Sequence, residues 1–169
     1  MTGITLTPTL NEIGPALTEL RRRTGDISKA LEYIGTRVLL PHIDLNFKEQ
    51  HDPWGKPWKP LSKVTLARRR KEGKGAKILE DVGTLRNSFS YRVLKNSLEI
   101  GTADVRAGTH IFGAKQGQYG RTKRNGPIPW GDIPARPMLP LREPLPEDLV
   151  EEMSDAMQYH LDLANGPQP

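Results

Sequence analysis

Eleven consecutive positions, HDPWGKPWKPL at residues 51–61, hold three prolines, one glycine and two tryptophans. Proline has no backbone N–H to give a helix or sheet ladder and its ring fixes φ at about −65°, so this stretch can be neither a regular helix nor a central strand. It reads as an ordered crossing loop. Trp54 and Trp58 are stiff apolar bodies with one N–H each, suited to pinning the loop on a core or to anchoring a partner. Pinning suits Trp58 above all, and Trp54 suits either. The same punctuation runs through the chain, with 16 Gly and 15 Pro among 169 residues, which implies short regular elements between long loops. With 36% hydrophobic residues the core is modest. The expectation is one domain over residues 1–169: a helical arm at 1–24, a core at 25–163 and a frayed tail at 164–169. Part of its surface finishes burial against partners.

Upstream of the loop, Leu10, Ile13, Leu17 and Leu20 recur at helical spacing around a Gly14-Pro15 interruption, predicting a short first helix. Gly25 and Asp26 read as a stop and an N-cap, and Ile27, Leu31, Ile34 and Val38 predict a second, longer helix, bent or broken near Pro41 and continuing to about Gln50. Downstream, Ser62 caps a basic surface helix from Lys63 to Glu72 that Gly73 stops. Phe89, Tyr91 and Val93 alternate with polar residues, and Leu98 and Ile100 resume after a turn, which predicts a hairpin. Residues 110–113 suit a third short strand, residues 114–127 a long mobile loop, and residues 133–139 an edge strand or extended segment. Leu145, Leu149, Met153 and Ala156 mark an amphipathic closing helix entered at Pro146. The fold class is therefore α+β: N-terminal helices and a C-terminal helix on a small, mostly antiparallel sheet, with long loops.

Charge is sorted along the chain. Nine basic residues and one acid lie between Lys56 and Lys77, whereas seven acids and no Lys or Arg lie between Glu143 and Asp162. That layout fits head-to-tail contact between like subunits and equally fits two solvated helix faces. Arg68, Arg69, Arg70, Trp54, Trp58 and Arg136 are the candidate subunit or partner contacts. Arg136, between Ala135 and Pro137, is the candidate for a fixed inter-element or inter-subunit salt bridge, so that Arg136→Glu should stay folded but fail in assembly. Lys115, Arg121, Lys123 and Arg124 are candidates for lining a DNA lumen or for a docking loop, since phosphate attraction needs only clustered positive charge.

Chemistry has little to stand on. There is no cysteine, and His42, His51, His110 and His160 are scattered without metal-ligand spacing. No HExxH or phosphate-cradling Gly-rich motif occurs, and nothing places a base beside Ser88 or a role beside Glu80 and Asp81, of which Asp81 reads as a turn or capping residue. No catalytic, cofactor or metal residue is expected. The first residues lack the pattern of an export signal and no apolar run has the ~18 residues of a membrane span, so no membrane partner is expected.

The order of motifs resembles the phage virion morphogenesis or tail-completion family of Mu-like and P2-like tailed phages. The matching strings are DPWGKPWKPLS at 52–62, a basic helix from Thr65, ILEDVGTLRNS at 78–88, IGT at 100–102, HIFG at 110–113 and IPARPML at 133–139. Ala107-Gly108-Thr109 departs from the Tyr-Ala pair more usual ahead of that His. The resemblance implies a structural protein of the virion neck, acting late in assembly in the host cytoplasm, where a filled head meets a finished tail. It also implies a self-assembled ring, a hexamer by that likeness, between head-connector and tail-terminator or tube proteins. The alternative is a basic module binding passing duplex DNA without sequence preference, and a hydrolase stands a distant third.

Overall fold

The computed structural model describes residues 4–6, 14–81, 83–95 and 97–165. Its elements run β1 (Ile4–Leu6), α1 (Gly14–Thr24), α2 (Ser28–Ile34), a π turn (Gly35–Leu39), α3 (Leu40–Glu49), α4 (Lys63–Lys71), β2 (Phe89–Leu94), β3 (Ser97–Thr102), α5 (Arg106–Phe112) and α6 (Glu147–Asn165). This is the α+β class. The sheet has the order β1-β3-β2, with β2 and β3 an antiparallel hairpin. Two compact units emerge, each discontinuous in sequence. Of the described residues the first holds Ile4, 44–81, 83–88 and 102–139, the second 5–6, 14–43, 89–95, 97–101 and 140–165, and the chain changes unit inside α3, between Ile43 and Asp44.

In the second unit α1 and α2 pack on α6, and β2 on α2 and the π turn. Helix α1 is described from Gly14, and residues 7–13, ahead of the Gly14-Pro15 pair, lie outside the described residues, Leu10 and Ile13 among them. Gly25 then takes a φ of +72° and donates its N–H to Arg21 O, ending the helix, while the Asp26 carboxylate accepts the Ser28 N–H.

The helix does not break at Pro41. It slips register through the π turn, where the Leu40 N–H donates five residues back to Gly35 O, and continues as α3 to Glu49. Gly35 also allows a close approach. A Cβ there would lie 2.6 Å from Tyr91 Cδ2, so only the bare backbone lets that ring lie on the helix, with its hydroxyl 2.7 Å from that of Thr36. Tyr91, Phe89 and Val93 are the inward face of β2, and Leu98 and Ile100 the buried face of β3, as the alternation predicts. Leu149, Met153, Ala156, Met157 and Leu161 are the buried stripe of α6, whose first turn carries Glu147 and Asp148 at the positive end of the helix dipole. Residues 166–169 lie outside the described residues.

The first unit is built around Phe47, Trp58, Leu85, Ile111, Met138 and Leu139. Its proline-rich loop is held by Asp52, buried, whose carboxylate accepts the N–H groups of Trp54 (3.0 Å) and Lys56 (2.9 Å). Two segments differ from expectation. Residues 110–113 are the end of α5 and its exit, because the Asp104 carboxylate takes the Arg106 N–H at the helix start and Gly113, at φ +75°, ends it. Residues 114–133, of which 114–127 were expected as a mobile loop, fold back as an irregular double turn. Ala114 and Ile133 exchange both backbone bonds, Tyr119 N–H donates to Ile128 O, and Thr122 N–H donates to Gly126 O.

Candidate functional site

The basic helix α4 forms as its sequence dictates, with Ser62 Oγ accepting the Thr65 N–H at 3.2 Å and Gly73 in the left-handed region behind it. Its arginines divide. Arg68 and Arg70 are exposed, and Arg68 makes only a long approach to Glu72, 3.9 Å. Arg69 is 6% exposed, and its Nη1 donates to the carbonyls of Lys77 (2.6 Å), Gly75 and Glu80 (both 3.3 Å). Arg69 therefore organises residues 75–80 from within and is enclosed, unlike Arg68 and Arg70. Asp81 is no cap: it pairs with Lys74 at 3.2 Å, and this contact, ahead of the fields of Arg69 and Arg68, holds its carboxyl below the usual range.

Trp58 and Arg136 are enclosed in the same way. The Trp58 ring meets Phe47 edge-on with centroids 5.4 Å apart, and its Nε1–H donates to Pro137 O at 2.9 Å. Arg136 donates through Nε to Lys59 O (2.9 Å) and through Nη2 to Pro60 O (3.2 Å). It ties two distant segments together through carbonyls and forms no inter-element salt bridge among the described residues. Trp54 is half-buried.

Between α4, the start of α5 and residues 132–136 lies a cleft of about 350 Å³. Arg68, Arg106, His110 and Arg136 line it together with the hydroxyl-bearing Thr65 and Thr84. Arg106 is fixed by Asp104 and by a 2.7 Å bond to the Thr84 hydroxyl. Burial, reinforced by the charges of Arg136 and Arg106, pushes the His110 ring below its ordinary pKa, so it is neutral near pH 7. Sequence reasoning missed Arg106, Thr84 and His110 as neighbours of α4, because the spacing from 65 to 136 carries no periodic signal.

The double turn at 114–133 presents the remaining candidates. Lys115 pairs with Asp132 at 2.9 Å, and the Arg121 guanidinium bonds the Asn125 carbonyl and side chain. Lys123 and Arg124 are exposed. Trp130 lies over Gly126, where a Cβ would come within 2.8 Å of the ring, yet it remains 74% exposed. In the second unit the acids Glu147, Asp148, Glu151, Glu152 and Asp155 of α6 are all exposed and make no ion pair among the described residues. Ser88 donates to Leu85 O and lies 2.5 Å from the Thr102 hydroxyl. The described residues contain no cluster of three or more His, Asp or Glu able to hold a metal ion, and no helix long and apolar enough to cross a membrane.

Residues 9–162 match the model of the phage virion morphogenesis family, and the chain belongs to that family. Its role is in phage assembly and it is associated with the virion. Neither the curated proteins nor the solved structures contain a match to the chain.

Proposed function

We propose that the chain is a tail-completion subunit that joins or stabilises the head–tail junction, assembling with copies of itself into a ring. The observation that carries this reading is the charge layout. Basic side chains of α4 and the 114–133 turn are exposed in one unit, and an acidic face of α6 is exposed in the other. Opposite faces on one chain make a heterologous contact, which closes into a ring when the rotation between copies allows it. The adjoining partners are then head-connector and tail-terminator or tube proteins, and the copy number follows the hexamer of the family likeness. Electron microscopy of the purified chain, alone and mixed with headless tails, tests this: rings seated at the tail end support it. A chain that remains monomeric and leaves tails bare refutes it.

A second reading has a specific observation in its favour. Lys123 and Arg124 are exposed on the same 114–133 turn as the exposed Trp130 and Tyr119, and clustered cations suit the phosphates of a passing duplex. Binding of a random duplex with a steep salt slope, lost in Lys123→Glu/Arg124→Glu, would favour it.

A further inference from the structure

Arg136 is 5% exposed, yet among the described residues no carboxylate pairs with it. Its Nε and Nη2 bond neutral carbonyls, and its Nη1 has no partner among the described residues. An enclosed cation held by neutral dipoles keeps an unmet demand for an anion. It lines the cleft beside α4, where His110 Nδ1 is likewise enclosed without a hydrogen-bond partner. The lining carries four guanidiniums against two carboxylates, and one of the four, Arg106, has a close carboxylate, Asp104, beside the lining. Both carboxylates, Asp81 and Asp132, are already paired with lysines.

We propose that this cleft is a socket for one aspartate or glutamate side chain from α6 of a second copy of this chain, an inference that rests on the assembly reading above. The planar guanidinium matches a carboxylate in shape and hydrogen-bond geometry. A duplex presents its phosphates on a broad convex cylinder, which keeps them from a guanidinium so nearly enclosed, whereas a single side chain on a helix projects far enough to enter. Within this chain the exposed acids concentrate on α6, where Glu147, Glu151 and Asp155 stand four residues apart in one row. One member fills the socket while its neighbours face the exposed cations of α4.

The test is sedimentation velocity of the full chain at low and high salt. Arg68 lines the cleft and Arg70 does not, although both are exposed on the same helix, so Arg68→Glu and Arg70→Glu make the same charge change inside and outside the socket. The socket predicts that Arg68→Glu weakens self-association at least about tenfold more than Arg70→Glu. It also predicts that Glu147→Lys/Glu151→Lys/Asp155→Lys weakens association, and that combining the triple reversal with Arg68→Glu restores it. Equal losses from the two arginine variants, or no restoration, overturn the socket while leaving ring assembly standing. A wild-type chain that never self-associates overturns both. Loss of random-duplex binding in Arg68→Glu with unchanged self-association assigns the cleft to phosphate and overturns the proposal.

Discussion

Replacing Trp58 by Phe isolates one hydrogen bond and part of one ring in the first unit. The indole N–H is the donor to Pro137 O, 79 residues away in sequence, and the side chain is 5% exposed. Phe keeps an aromatic ring beside Phe47 but leaves the carbonyl without its donor. An acceptor deprived in a buried setting costs about 1–3 kcal/mol, and the lost outer part of the indole adds about 1 kcal/mol of transfer and cavity terms. The sum is about 2–4 kcal/mol. For a chain of this length, about 2–4 °C of Tm accompanies each kcal/mol, so Trp58→Phe should melt roughly 10 °C below wild type. Far-UV circular dichroism on heating reads the shift, and a urea titration at constant m converts it to free energy. Trp130→Phe is the control, since that ring is exposed and its loss should stay within about 0.5 kcal/mol. If the two variants melt together, the loop is not pinned through Trp58 and the account of residues 51–61 fails.

Gly113→Ala should be more damaging than its size suggests. The residue holds φ +75°, and a Cβ there would lie 2.7 Å from Ile133 O, so a loss of about 2–4 kcal/mol in urea is expected. Asp52→Ala removes the acceptor of two backbone N–H groups and should cost about 1–2 kcal/mol, with Asp52→Asn recovering part of it. Arg136→Glu should fail to accumulate as soluble protein, because a carboxylate would face the Lys59 and Pro60 carbonyls in a buried position, at a cost of about 3–5 kcal/mol. The pH dependence has a definite sign at His110. Its folded-state pKa is depressed by burial first and by Arg136 and Arg106 next, below the ordinary 6.5, so the unfolded chain binds the proton more readily. Its contribution is full above pH 6.5 and is lost as pH falls through the lower folded value. Urea midpoints measured from about pH 7.5 to 5.5 should decline, and His110→Gln should flatten the decline.

The candidate contacts were only partly legible in the sequence. Exposed members of the charge runs, Arg68, Arg70 and the α6 acids, sit where their helical spacing puts them, because a surface position is the default for a charged side chain with no local partner. Arg69 belongs to the same run and is buried instead. The fold brings the carbonyls of Gly75, Lys77 and Glu80 around its guanidinium, a cluster that a tally of basic residues cannot register.

What the sequence by itself determined was everything encoded at short range. Alternation in β2 and β3, the stripe of α6, the Ser62 cap and the proline-rich loop each follow from steric and hydrogen-bond rules acting within a few residues. Tertiary structure alone decided that residues 110–113 finish a helix, that residues 114–133 fold on themselves, and that Arg136 lies inside. The bond from Arg136 to Lys59 joins positions 77 apart, and no local pattern announces such a partner. A buried polar group takes whichever acceptor the rest of the chain brings to it, and that is fixed only when the whole unit closes.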